Sequence, residues 1–169
     1  MGAQNDNRIR VLVAEDDSQI LRCYERAFSR RDSNPQNATL DALSADLFGA
    51  DMARICQPEF ELVTCNQGRD AIAIVAEAVA SQLPFDAVIL DVRMPPGING
   101  VDAGERIRQI DQEVPIVFVS GYSDVSNEEI WRRVPPESNL RFYRKPISFS
   151  GLAQDIVEIV YQARSGRSN

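Results

Sequence analysis

Four short apolar runs in this sequence each lead to a side chain that can handle phosphate or hold a cation. Residues 9–14 (Ile-Arg-Val-Leu-Val-Ala) meet Glu15, Asp16 and Asp17; residues 87–90 (Ala-Val-Ile-Leu) meet Asp91; residues 116–119 (Ile-Val-Phe-Val) meet Ser120; residues 140–143 (Leu-Arg-Phe-Tyr) meet Arg144 and Lys145. Singly, each has an ordinary reading. The acidic triplet is a set of helix-start charges, Asp91 a strand-end cap, Ser120 a turn residue and Lys145 a solvated charge. Brought to one edge, they make a site. Carboxylates about 4 Å apart repel by roughly 4 kcal/mol per pair at an effective dielectric near 20, so such a cluster calls for a counter-ion. A hard divalent cation fits oxygen donors, and Mg²⁺ takes one or two carboxylates while keeping water or substrate phosphate elsewhere. Asp91 is then the candidate nucleophile, since carboxylates form aspartyl-phosphate intermediates. Lys145 and the metal would neutralise a phosphoryl group in transfer, and Ser120 would donate a hydrogen bond to it.

The elements between these residues must bring them together. The runs at 87–90 and 116–119 lack polar alternation, which suits central strands of a parallel sheet covered on both faces. Ser18 is expected to cap a helix bearing Ile20, Leu21, Tyr24, Ala27 and Phe28 on one face. A strand over 60–64 precedes an Ala-rich helix with Ala71, Ile74, Val75, Ala78 and Val79 on its stripe, stopped by Pro84. The turn at 94–100 leads to a helix over 101–110. A fourth helix carries Trp131 and stops at Pro135-Pro136, and a closing helix carries Leu152, Ile156, Ile159, Val160 and Ala163. Alternating strands and helices predict an α/β fold: a three-layer, doubly wound, five-stranded parallel sheet of order 2-1-3-4-5. Its switch point between strands one and three puts Asp16 beside Asp91. A helical insertion is expected at about 32–58, between helix one and strand two, its Leu40, Leu43 and Leu47 packing on the domain. The domain is read as 8–164, with 165–169 a polar tail or the start of a linker.

Composition narrows the function. With 44% hydrophobic and 25% charged residues, the 169-residue chain has the make-up of a globular protein of one domain. A net charge of −7 argues against direct nucleic-acid binding, which leans on a basic face. The three cysteines, Cys23, Cys56 and Cys65, are odd in number and lack a C-x-x-C spacing, as expected of reduced thiols in the cytoplasm. No stretch approaches the length of a membrane span. There is no histidine, so any phosphohistidine that donates to Asp91 must sit on another protein.

The motifs Val11-Leu12-Val13-Ala14-Glu15-Asp16-Asp17, Ile89-Leu90-Asp91-Val92-Arg93-Met94-Pro95, Val117-Phe118-Val119-Ser120-Gly121 and Arg144-Lys145-Pro146 resemble those of the response-regulator receiver domain of bacterial two-component signalling. The resemblance implies that Asp91 is the phosphoacceptor, that Glu15 and Asp16 hold Mg²⁺ with Asp91, and that the Arg93 backbone carbonyl completes the metal site. It makes Ser120 the switch hydroxyl, Lys145 the phosphate-contacting lysine and Phe142 the switch aromatic, with a cis bond at Lys145-Pro146. It implies a sensor histidine kinase or histidine phosphotransfer protein as donor, and a homodimer through helix four, strand five and helix five. A C-terminal effector domain beyond Asn169 is a further expectation. The domain would be a signalling module that assists its own phosphorylation and dephosphorylation, with no separate substrate.

The chain departs from the family pattern in three places. Glu15 stands where many members carry Asp, the loop from Asp91 to Gly100 is one residue longer, and the insertion is the largest departure, of a kind that also occurs in receivers attached to kinases or output domains. Other classes remain readable. A non-phosphorylated pseudo-receiver would dock without chemistry; a haloacid-dehalogenase-type Mg²⁺ phosphatase would want a second Asp where Arg93 stands; an FMN module would want a hydroxyl-rich loop where the acidic triplet stands.

Overall fold

The computed structural model describes residues 8–29, 58–121 and 126–166. Alternation along the strands builds two cores. Leu12 and Ala14, Val88 and Leu90, and Ile116 and Phe118 bury into one apolar cluster; Val11 and Val13, Ala87 and Ile89, and Val117 and Val119 bury into the other. A strand whose successive side chains point to opposite faces does this only if both faces are covered. Strands β1 (Arg8–Ala14), β2 (Glu59–Cys65), β3 (Ala87–Asp91), β4 (Ile116–Ser120) and β5 (Leu140–Arg144) form one sheet of order β2-β1-β3-β4-β5. Every neighbouring pair is parallel. The expected order and fold class are the observed ones.

Helices supply the covering layers. On one face, α1 (Ser18–Ser29) contributes Tyr24 and Phe28, and α5 (Phe149–Gly166) contributes Leu152, Ile156 and Val160. The Tyr24 ring meets Phe149 edge-on at 4.9 Å, and Phe28 meets Phe60 at 4.8 Å. The opposite face takes Ala71 and Val75 from α2 (Gly68–Ala80), Val101 and Ile107 from α3 (Gly100–Ile110) and Ile130 from α4 (Asn127–Arg133). Each such large side chain contributes about 1.5–3 kcal/mol on full burial.

Three details differ from the sequence reading. Helix α1 begins at Ser18, and its first turn is satisfied from one residue earlier: the Asp17 carboxylate accepts from the Gln19 amide at 2.7 Å. Val79, placed on the buried stripe by its spacing, is 36% exposed. There α2 ends in a Schellman-type turn, with the Leu83 amide donating to the Ala78 carbonyl and Gln82 at φ 58°, which carries Val79 and Leu83 outwards. Helix α5 continues through Gly166, two residues into the segment read as a tail. Lys145-Pro146 is cis as expected, as are Pro95-Pro96 and Pro135-Pro136. The insertion expected at about 32–58 lies, up to residue 57 and with Cys56, outside the described residues, while Cys23 and Cys65 are free thiols.

Candidate functional site

Because all five strands run the same way, their carboxyl ends share one edge, and the singled-out residues lie along it. Glu15 directly follows β1. Its amide donates to the Cys65 carbonyl at 3.1 Å, extending the β1–β2 ladder by one bond and turning its side chain into the protein, 1% exposed. Asp91 ends β3 and is 6% exposed. Asp16, the next residue along from Glu15, stays at the surface. One carboxylate oxygen of each of the three lies within 4.8 Å of the others, so the group could hold a metal ion. Two buried oxygens behind one exposed carboxylate suit a hard cation that keeps part of its water shell.

Lys145 answers these charges from the far side. Its Nζ donates to Glu15 Oε2 at 2.8 Å and to Asp91 Oδ2 at 3.1 Å, while its backbone amide donates to the Ser120 carbonyl at 2.8 Å. Residues from the first, third and fifth strands thus meet at one ammonium. The remaining oxygens are held from the backbone: the Asp17 amide donates to Glu15 Oε1 at 3.3 Å, and the Arg93 amide to Asp91 Oδ1 at 3.4 Å. Burial pushes the Glu15 carboxyl up to about 7, with the Asp91 charge adding to the rise and the Lys145 hydrogen bond opposing it. For Lys145, burial pulls the ammonium's pKa down, and the hydrogen bonds to Glu15 and Asp91 with their charges more than offset this, leaving it raised.

Of the expected residues, Glu15, Asp16, Asp91 and Lys145 come together. Ser120 is buried at the end of β4, where its hydroxyl donates to the Gly121 carbonyl at 3.0 Å. Arg93 reaches the site through its backbone amide, its side chain exposed. Phe142 lies in the sheet beside Phe118, half-buried against the cluster under α2, α3 and α4, where Trp131 also packs.

The loop after Asp91 is held by contacts that the apolar pattern does not mark. The Gly100 amide donates to the Val92 carbonyl at 2.9 Å, and a Cβ at Gly100 would run into the Asp91 carbonyl oxygen. Gln67, at the start of α2, sends its amide Nε2 to the Pro95 carbonyl at 3.4 Å. The faint signal for this in the sequence is a polar N-cap position opposite a loop punctuated by Gly97 and Gly100.

A doubly wound parallel sheet with an acidic cluster and one lysine at its switch point defines a class of proteins that work at the carboxyl edge of the sheet. Within that class, the family model for the response regulator receiver domain matches residues 47–154, and the chain belongs to that family. The match begins beyond β1, so the strand that carries Glu15 and Asp16 is supplied by the fold. Among curated proteins, the response regulator protein TmoT of Ectopseudomonas mendocina is 39% identical over 44 residues, 26% of this chain and 20% of that protein. TodT of Pseudomonas putida is 40% identical over 38 residues, 22% of this chain and 16% of TodT. The matched stretches therefore span a fifth or less of these relatives. Solved structures share the fold. A receiver protein from Sinorhizobium medicae WSM419 superposes with a TM-score of 0.61 at 19% identity, covering 92% of this chain and 97% of its own. A CheY-like receiver domain from Methanospirillum hungatei JF-1 gives 0.64 at 14%, covering 94% and 98%. Among the described residues, no helix is long and apolar enough to cross a membrane.

Proposed function

We propose that this domain accepts a phosphoryl group on Asp91 in a two-component system of the cytoplasm. The supporting observation is the meeting of Glu15, Asp91 and Lys145 at a single ammonium, with Asp16 beside them. In this reading Glu15, Asp16, Asp91 and the Arg93 carbonyl hold Mg²⁺, which supplies positive charge against the phosphoryl oxygens. An Asp91 carboxylate oxygen attacks the phosphorus of a phosphohistidine on a sensor kinase or phosphotransfer protein. The P–O bond forms as the N–P bond breaks, and the electron pair leaves with the imidazole nitrogen, which takes up a proton. Lys145 moves its hydrogen bond from the Asp91 carboxylate to a phosphoryl oxygen. The Ser120 hydroxyl turns from the Gly121 carbonyl to a second one.

The acyl phosphate carries about −2 where the carboxylate carried −1, and this added charge would then bias an equilibrium of the segment after β4. Phe142 follows Ser120 inwards, altering the face of α4, β5 and α5 that pairs with a second copy or an effector domain. The chain itself is a signalling module, its chemistry confined to its own aspartate. Acetyl phosphate with Mg²⁺ is expected to add one phosphoryl group by intact mass, and Asp91→Asn to abolish it. Undiminished labelling of that variant would overturn the assignment.

A further inference from the structure

The residue that starts α2 is an N-cap whose side chain does not serve its own helix. Gln67 has the extended backbone of a cap, φ −144° and ψ 145°, and its carbonyl accepts the first helical bond from the Ala71 amide at 3.1 Å. Its side chain makes no capping bond. Instead it crosses to the loop that follows Asp91. Nε2 donates to the Pro95 carbonyl, and the oxygen of the same amide lies so close to Gly97 that any Cβ there would collide with it.

The fit continues on both sides of this amide. The Gly97 amide donates to the Met94 carbonyl at 3.1 Å, closing a turn around Pro95 and Pro96, and Met94 is buried in the core. A Cβ at Gly68 would stand 3.0 Å from Ile98 Cγ1 and 3.2 Å from the Ile98 carbonyl oxygen. Gly100, as described, lies against the Asp91 carbonyl. Glycines at 68, 97 and 100 thus let two loops and a helix start close on one another at the residue that ends β3, and Gln67 sends a side-chain hydrogen bond across that seam. Such a contact shapes the loop without touching a ligand.

We propose that Gln67 is a positioning residue of the phosphoryl-acceptor site. By holding Pro95 and Gly97 it fixes the backbone from Val92 to Gly97, and so sets the Arg93 carbonyl at the metal position before any cation arrives. The inference rests on the metal reading given under Proposed function, and it adds the residue that prepares one of the four ligands. A preset ligand spares the ion the cost of ordering the loop, so the effect falls on metal affinity.

Isothermal titration of the full chain with Mg²⁺ alone tests it, using Gln67→Met, which keeps the volume and removes the amide, and Gln67→Ala. Loss of one neutral hydrogen bond that orders a ligand predicts a Mg²⁺ dissociation constant raised by about 3- to 10-fold in both variants. The thermal midpoint of Gln67→Met falls by no more than the few degrees that one neutral hydrogen bond is worth, and its labelling by acetyl phosphate at saturating Mg²⁺ keeps the wild-type maximum rate. Amide exchange in the metal-free chain is expected to be faster at Gly97. Unchanged Mg²⁺ constants, or unchanged Gly97 exchange, would overturn the positioning role. Failure of the unmodified chain to bind Mg²⁺ would instead sink the metal reading, and Gly97 exchange would still decide whether the clamp exists.

Discussion

The two edges of the sheet carry similar residue types and treat them in opposite ways. At the amino edge, Asp86 accepts from the Arg10 backbone amide at 2.8 Å and from Arg164 Nε and Nη2 at 3.2 and 2.9 Å. Arg164 also donates to the Arg8 carbonyl at 2.8 Å, tying the last turns of α5 to the start of β1. Glu61 pairs with Arg10 at 3.0 Å and Arg8 at 3.3 Å, and the Arg10 guanidinium lies 4.8 Å over the Phe85 ring while reaching the Leu83 carbonyl. Three cations there meet two carboxylates. At the carboxyl edge three carboxylates meet one ammonium, and two of the three are buried. The amino edge is complete as it stands and holds the fold together. The carboxyl edge is left with a surplus of negative charge that a proton on Glu15 or a bound cation would offset.

Removing the Lys145 charge from the carboxyl edge is the largest perturbation expected. Lys145→Met leaves Glu15 and Asp91 facing each other without its ammonium, and breaking a buried pair from one side costs about 3–5 kcal/mol, less here because the Lys145 side chain is 27% exposed. Urea unfolding of the metal-free variant measures this, and added Mg²⁺ is expected to restore most of it, because the metal replaces the missing charge. Equal losses with and without Mg²⁺ would erase the contrast between the edges.

A pH series sharpens it further. The Glu15 carboxyl is raised from 4.5 to about 7, so between those values the folded chain keeps a proton that the unfolded chain has released. Stability of the metal-free protein therefore falls as pH rises from about 4.5 to about 7, by up to roughly 3 kcal/mol. Saturating Mg²⁺ should flatten that slope, since the ion binds the deprotonated form. A metal-free stability that climbs over the same window would contradict the buried state of Glu15.

The smallest effect belongs to the amino edge. Asp86→Ala removes the acceptor shared by Arg10 and Arg164 and is expected to cost about 1.5–3 kcal/mol in urea unfolding. Mg²⁺ affinity and labelling by acetyl phosphate stay at wild-type values. A weakened metal constant in this variant would mean that the two edges are coupled through the sheet.

Much of this contrast is legible in the sequence because strand ends are. Continuous apolar runs such as 87–90 and 116–119 announce central strands, and the first polar residue after each run falls on the carboxyl edge whatever the loops do. Details governed by single backbone bonds are not. Ser18 and Asp17 are both good caps, and only the chain's direction as it leaves β1 decides that Asp17 serves. Val79 has helical spacing, yet the left-handed residue at Gln82 ends α2 in a turn that leaves it outside. Ser165 and Gly166 are weak helix formers that α5 includes as it runs on past the Arg164 anchor. Gln67 is only faintly marked in the sequence, because its partner is a carbonyl twenty-eight residues further along the chain.

The position of β1 between β2 and β3 has a practical consequence. The family-matched span begins at residue 47, whereas β1, the interior strand that joins β2 to β3, and two of the three clustered acids come before it. A gene trimmed to that span would encode a sheet without the strand that links β2 to the rest, and only Asp91 of the three clustered acids. Its boundaries must be drawn from the architecture rather than from the alignment.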